Sequence, residues 1–187
     1  MPTLRLLGIA GSLRKASLNR ALLRAVAETL PAEASLSIYD GIGDLPHFNS
    51  DIGSEPEPVT QLKRAIADAD GVVFSVPEYN YSIPGVLKNS VDWASRPPAT
   101  SPLRGKPIGI IGASIGISGS MRAQYHMRQI MVFTDSPVLM QPEVIIPNAR
   151  ERFDGDGNLV DESTRQLLRT FGVALVTWVQ RFAPPRG

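Results

Sequence analysis

The chain has 187 residues, a formal net charge of +1, two histidines and no cysteine. This length suits one globular domain spanning residues 1–187. The composition excludes disulfides and thiolate nucleophiles, and it argues against a metal site rich in cysteine or histidine. Because the charges are mixed and no apolar run approaches ~18 residues, we expect a cytoplasmic protein with no metal, nucleic-acid or membrane partner.

Apolar runs alternate with helical patterns along the chain, which is typical of a parallel α/β sheet covered on both faces. The five predicted strands lie at residues 3–10, 35–40, 71–76, 107–114 and 138–146. The third and fourth are continuously apolar, as buried central strands are. We expect the fifth at a sheet edge, because Pro142 has no N–H to donate to a ladder.

Apolar residues at helical spacing predict five helices, one after each strand. The first helix follows a Ser17 N-cap, the second includes residues 59–66, and the third begins near Pro84. The fourth covers residues 120–133 and the fifth covers residues 167–182, with Trp178 expected in the core. Residues 154–158 resemble a calcium loop only briefly and are interpreted as a surface turn. The tail, residues 183–187, is expected to fray.

The segment AGSLRKASLNR, residues 10–20, follows the first strand. Gly11 permits a tight turn, and the side chains of Ser12, Ser17 and Asn19 can donate hydrogen bonds. The free N–H groups of the next helix carry partial positive charge at the same place. Together these groups predict an anion site, although Ser17 would also be explained as a simple helix cap beside a solvated Arg14.

Missing motifs narrow the choice of anion. The chain has no GxxxxGK[ST] triphosphate loop and no GxGxxG dinucleotide turn, and a phosphatase loop would need a cysteine nucleophile. A single phosphomonoester, with ~1.5 to 2 negative charges, fits the hydroxyl-rich loop and Arg14 better. The sequence therefore predicts a ligand with one terminal phosphate.

Two further loops follow the third and fourth strands. PEYNYSIPG, residues 77–85, has two prolines, and its Tyr79 and Asn80 offer a flat apolar body and an amide that can hold a planar ring. Prolines that only delimit a turn would explain the same pattern. GASIGISGSMRAQ, residues 112–124, lets the backbone approach a ligand closely. In a doubly wound sheet of order 2-1-3-4-5, all three loops converge on one crevice.

The three loop sequences in this order resemble the NADPH-dependent FMN reductase family, in particular its bacterial chromate and quinone reductase branch. The resemblance is carried by GSLRKASLN, PEYNYSIPGVLKNSVDWASRP and GASIGISGSMRAQYHMRQI, within residues 4–133. It implies a flavodoxin-like fold, a three-layer sandwich with non-covalent FMN. The family commonly has glycine where Ala16 stands here and Gly-Gly where this chain has Gly119-Ser120.

The resemblance also implies the site residues. Around the phosphate it places Ser12, Arg14, Ser17 and Asn19, with the backbone of Leu13 and Leu18; along the ribityl chain and ring it places Pro77, Glu78, Tyr79, Asn80 and Ser114. Arg122 and Gln124 are weaker candidates. No side chain is expected to be catalytic, because the chemistry takes place at N5 of the flavin.

The activity implied is hydride transfer from NADPH or NADH to FMN, and from there to small acceptors such as quinones, free flavin, chromate or azo compounds. The helices beginning near Pro84 and Ser120 are expected to form a homodimer or homotetramer, with His126 a packing or interface residue and His47 exposed in its loop.

Two alternatives stay open at this point. A flavodoxin-type electron carrier would bind FMN without substrate turnover, but such carriers tend to be strongly acidic and this chain is balanced. A phospho-receiver needs acidic residues after the first strand and an aspartate after the third. The chain has Gly8, Ile9 and Ala10 in the first place and Pro77 in the second.

Overall fold

A computed structural model describes residues 3–182 of the chain. Its strands form one parallel sheet of order β2-β1-β3-β4-β5, which confirms the predicted topology. The strands are β1 Leu4–Ala10, β2 Ala34–Tyr39, β3 Gly71–Ser75, β4 Ile108–Ala113 and β5 Val144–Ile146. The two central strands β3 and β4 are buried at every residue, because helices cover both faces of the sheet.

Five α-helices alternate with the strands, as the periodicity predicts. They are α1 Leu18–Thr29, α2 Glu57–Asp68, α3 Gly85–Ala94, α4 Met121–Thr134 and α5 Glu162–Phe182. One apolar core contains residues of α1 and α5, and a second contains residues of α2, α3 and α4. The two cores lie on opposite faces of the sheet and make a three-layer sandwich.

The predicted fifth strand, residues 138–146, is too long. Val138 makes an isolated parallel bridge with Ile108, and the N–H of Leu139 donates to the Ile108 carbonyl at 2.8 Å. The chain then leaves the sheet around Pro142, whose ring nitrogen cannot donate, and pairs again only at Val144–Ile146. The edge position of β5 is confirmed.

The remaining local predictions can be checked within the described residues. Trp178 is partly buried against the first core and donates from Nε1 to the Pro137 carbonyl at 3.1 Å. The Asp154 carboxylate accepts the N–H groups of Asp156 and Asn158, which confirms a local turn. His47 is exposed. The tail, residues 183–187, lies outside the described residues.

Within residues 3–182, no helix is long and apolar enough to cross a membrane. The same part of the chain holds no cluster of three histidines or carboxylates that could hold a metal ion.

The strand register brings the carboxyl ends of three strands to one edge of the sheet. Ala10 of β1 is opposite Ser75 of β3, and Ser75 is opposite Ile111 of β4. The loops that follow these strands therefore start side by side, which sets the position of the site.

Candidate functional site

A pocket of about 230 Å³ opens where the three loops meet. All three loops contribute to its wall: Ser12, Arg14, Ser17, Leu18 and Asn19 from the first, Pro77, Glu78 and Tyr79 from the second, and Ala113, Ser114 and Ile115 from the third. Two of the residues expected at the site, Leu13 and Asn80, lie outside this wall. The predicted convergence of the loops is thus present in the structure.

The first loop lies directly against the second. The N–H of Gly11 donates to the Ser75 carbonyl at 2.9 Å, and the hydroxyls of Ser12 and Tyr79 are hydrogen-bonded at 3.2 Å. A Cβ on Gly11 would come within 2.9 Å of the Pro77 ring. Gly11 is therefore needed for this close approach of the two loops rather than for a tight turn.

The N-terminus of α1 faces the pocket. Ser17 caps the helix, since its Oγ accepts the N–H of Arg20 at 3.3 Å. Within residues 3–182, no acceptor contacts the main-chain N–H groups of Leu18 and Asn19. Ser17 is thus both the helix cap and part of the pocket wall, and its O–H proton stays available beside two unpaired N–H groups.

Asn19 does not offer its amide to the pocket as the sequence analysis expects. Its side chain is 4% exposed. Nδ2 donates to the Ala113 carbonyl at 2.9 Å, and Oδ1 accepts the Ala113 N–H and the Ser75 hydroxyl, each at 3.0 Å. The amide fastens α1 to the ends of β3 and β4 below the pocket, and only the Asn19 backbone N–H faces a ligand.

Glu78 and Arg122 join the second loop to α4. The Glu78 carboxylate accepts the Arg122 Nε–H at 2.6 Å and the Arg122 main-chain N–H at 3.2 Å. The guanidinium lies over the Tyr81 ring at 3.6 Å from its centroid. The hydrogen bond to Glu78 raises the pKa of Arg122 above its usual value. Glu78 in the pocket wall is therefore compensated by a permanent cation.

Residues 79–82 form a two-residue hairpin at the rim. Tyr79 and Ser82 exchange both main-chain hydrogen bonds at 3.0 Å, and φ is +50° at Asn80 and +65° at Tyr81. Positive φ at both central positions is typical of a type I′ turn, where asparagine is favoured but tyrosine is uncommon. Ser82 Oγ lies 3.0 Å from His126 Nδ1, so His126 holds the hairpin from α4.

In the third loop, Gln124 does not take the place expected of it as a candidate flavin contact. Gln124 is buried and donates to Ser120 Oγ and the Val144 carbonyl at 3.1 and 3.0 Å, which turns it away from the pocket. Ser120 has a φ of +74°, so the serine adopts the left-handed backbone that glycine favours. The position where the family commonly has its second glycine thus has a backbone conformation typical of glycine, although its residue is a serine.

Sequence reasoning missed Ala113, Ile115 and Tyr81. Ile115 is a 59% exposed apolar side chain, and its place in a loop of glycines and serines was the available signal. Tyr81 lies within the motif PEYNYSIPG, but its contact with Arg122 depends on the turn geometry of the hairpin, which periodicity does not reveal.

The pocket wall combines two kinds of surface. The first loop contributes hydroxyls, Arg14 and N–H groups that lack acceptors within residues 3–182, and these groups suit a phosphate. Pro77, Tyr79 and Ile115 of the other two loops contribute flat or apolar surfaces, which suit a planar ring. The residues present therefore fit a phosphomonoester joined to a heteroaromatic ring, which is the chemistry of FMN.

Comparison with known proteins agrees with this description. The sequence model of the NADPH-dependent FMN reductase family matches residues 4–151. An NAD(P)H-dependent FMN reductase of Pseudomonas aeruginosa is 44% identical over 180 residues, 95% of this chain and 96% of that protein. A 2-hydroxy-1,4-benzoquinone reductase of a Burkholderia species is 43% identical over 178 residues, 95% of this chain and 97% of that protein.

A solved structure gives the same result at the level of the fold. FerB, a flavoenzyme NAD(P)H:(acceptor) oxidoreductase from Paracoccus denitrificans, superposes with a TM-score of 0.89 at 35% sequence identity. The match covers 96% of this chain and 99% of that one.

Proposed function

The chain belongs to the NADPH-dependent FMN reductase family, and on that premise we propose that its three-loop pocket binds FMN and serves the reduction of quinones by NAD(P)H. The protein is an FMN-dependent oxidoreductase with a flavodoxin-like fold. The observation that carries the proposal is the convergence of anion-binding groups and an aromatic wall in one pocket.

The first loop holds the phosphate. Ser12, Arg14 and the O–H of Ser17 donate to the phosphate oxygens, together with the main-chain N–H groups of Leu18 and Asn19. Both N–H groups lie at the positive end of the α1 dipole and lack other partners within the described residues 3–182. Charge-assisted hydrogen bonds of this kind provide both affinity and a fixed position for the ring.

The second and third loops hold the rest of the cofactor. Pro77, Glu78 and Tyr79, which lie in the pocket wall, line the ribityl chain and the ring, and Ser114 approaches from the third loop. Asn80 and Leu13 lie outside this wall, so their contacts with the cofactor stay predictions. The Ser12–Tyr79 hydrogen bond keeps the phosphate loop and the ring loop in register.

Bound FMN supplies the acceptor for a hydride from NAD(P)H and the donor for two-electron reduction of a quinone. The chain's residues orient the two substrates and set the electrostatics. The Arg122 cation compensates the Glu78 carboxylate, so no uncompensated negative charge of Glu78 opposes the addition of electrons. Tyr79 and Tyr81 are exposed at the rim, where aromatic substrates would stack.

The electron-carrier alternative is the weaker interpretation. The net charge of +1 differs from the strong overall acidity typical of such carriers, and the relatives from Pseudomonas aeruginosa and Burkholderia are named as reductases. The discriminating assay is steady-state NADPH oxidation by the FMN-loaded protein with a benzoquinone. Quinone-dependent turnover supports the proposal, and a protein that retains oxidised flavin with NADPH contradicts it. Free flavin, chromate and an azo dye are then tested in the same assay, because these acceptors stay predictions.

We further propose a homodimer or homotetramer in the cytoplasm, where NAD(P)H is produced. The support is the outer face of α4, where Met121, Tyr125 and Val132 follow one another at helical spacing and are 39%, 47% and 80% exposed. Exposed apolar and aromatic residues on one side of a helix suit an interface between subunits. Sedimentation velocity should give an assembly for the wild type and a smaller species for Val132→Lys; a wild-type monomer contradicts the proposal.

A further inference from the structure

A second cavity of about 360 Å³ lies beside the pocket, on the β2 side of the first loop. It is lined by Ala10, Ser12, Leu13, Arg14, Lys15, Arg20, Tyr39, Asp40 and Ile42. Ser12 and Arg14 line both spaces. The two cavities therefore share a wall, and one extended ligand could contact both across residues 12–14.

The second cavity is cationic. Its lining includes three cationic side chains, those of Arg14, Lys15 and Arg20, and one carboxylate, that of Asp40. Arg20 is paired with Asp40, and this hydrogen bond and ion pair raise the pKa of Arg20 and lower that of Asp40. Arg14 also faces the phosphate end of the first pocket. Lys15 is exposed, and within residues 3–182 no carboxylate forms an ion pair with it.

The inner wall of the second cavity is apolar and aromatic. Ala10 and Ile42 are 5% and 4% exposed, and Tyr39 presents a half-buried ring whose hydroxyl donates to the Pro58 carbonyl at 3.4 Å. A cation at the rim and an aromatic surface below it suit a phosphorylated nucleoside, with the base against Tyr39 and the phosphate near Lys15.

We propose that this cavity binds the adenosine 2′-phosphate end of NADPH and that Lys15 recognises the 2′-phosphate. The inference rests on the proposed function, because it assigns a place to one part of the reductant. NADH has a hydroxyl where NADPH has a phosphate of ~1.5 to 2 negative charges, so only NADPH gains from the Lys15 ammonium. Lys15 is thus a specificity-determining residue, and Arg14 separates the two phosphates.

The test is a calorimetric titration of the FMN-loaded protein with adenosine 2′,5′-bisphosphate and with adenosine 5′-monophosphate. Bound FMN occupies the first pocket, and the Lys15 variants report whether the ligands bind in the second cavity. We expect the bisphosphate to bind wild type roughly tenfold more tightly than the monophosphate, and Lys15→Ala to remove this difference while Lys15→Arg keeps it. Arg64→Ala, which removes an exposed cation on α2, should leave the difference intact and controls for net charge.

A kinetic measurement on the same proteins accompanies the titration. Lys15→Ala should raise KM for NADPH roughly tenfold and leave KM for NADH unchanged. Equal binding of the two adenosine ligands by the wild type, or equal changes in KM for both reductants, overturns the inference. Failure of the proposed function is a separate result, because it shows as no oxidation of NADPH or NADH by the wild type, whatever the titration gives.

Discussion

The carboxylate of Glu78, 6% exposed, is paired with the guanidinium of Arg122 and also accepts the Arg122 main-chain N–H. This relationship joins the loop after β3 to the first turn of α4 and places a compensated charge in the pocket wall. Without the Arg122 cation, the negative charge of Glu78 would disfavour reduction of the flavin, because the reduced ring is more negative than the oxidised ring. Its partner is therefore part of the site's electrostatics.

Arg122→Ala should make the midpoint potential of bound FMN more negative, on the order of 30 mV for the two-electron couple, because Glu78 loses its counter-charge. The measurement is a dye-equilibrated reductive titration. The double variant Glu78→Gln with Arg122→Ala removes both charges and should recover most of the shift. An Arg122→Ala potential equal to that of the wild type would show that the pair has only a structural role.

Arg14→Ala should weaken FMN binding by about 1.5–3 kcal/mol, since a charge-assisted hydrogen bond to the phosphate is lost. Fluorescence titration of the apo protein with FMN measures the change. The same titration with riboflavin, which lacks the phosphate, should give equal affinities for the variant and the wild type. A loss of affinity that is the same for both ligands would place Arg14 elsewhere than at the phosphate.

Asn19→Ala should destabilise the apo protein by about 3 kcal/mol, because the buried N–H and carbonyl of Ala113 lose their partner. Urea denaturation at a fixed pH measures the free energy of unfolding. Ser75→Ala removes a single hydrogen bond to the same amide and should cost only about 1 kcal/mol. Equal effects of the two substitutions would contradict the role given to the Asn19 amide.

Asp161 should contribute a pH-dependent part of the stability. Its carboxylate accepts hydrogen bonds from Ser163 and Thr164 at the start of α5, and these bonds, with Arg152, hold its pKa far below the usual value. A lowered pKa in the folded state means that this stabilisation is present above about pH 4, the unfolded pKa, and is lost as the pH falls below it.

The corresponding measurement is the urea midpoint between about pH 6 and pH 3. The midpoint of Asp161→Asn should fall less steeply than that of the wild type, because asparagine does not titrate. Asp156→Asn, at an exposed residue of a surface turn, is the control and should keep the wild-type slope. Parallel curves for Asp161→Asn and the wild type would contradict the assignment.

The sequence predicts the fold well because the buried strands are distinct apolar runs and each helix has a clear stripe. The fifth strand is the exception, since residues 138–146 contain two apolar runs that Gln141, Pro142 and Glu143 interrupt, and only Val144–Ile146 forms a strand. The loops that form the pocket are also predictable, because residue types at the carboxyl ends of parallel strands are informative. The sequence does not predict which way a side chain points. Whether the Asn19 amide faces a ligand or Ala113 depends on a tertiary contact between residues 94 positions apart. The Arg122–Tyr81 stacking likewise needs a turn conformation that tyrosine rarely adopts.

The most direct test is the absorption spectrum of the protein reconstituted with FMN, recorded without oxygen before NADPH, after NADPH and after a benzoquinone. We expect flavin bands that remain with the protein after desalting, bleach on addition of NADPH and return when the quinone is added. A colourless protein after desalting, or bound flavin that stays oxidised with NADPH, would contradict the proposal that FMN bound in this pocket transfers electrons from NAD(P)H to a quinone.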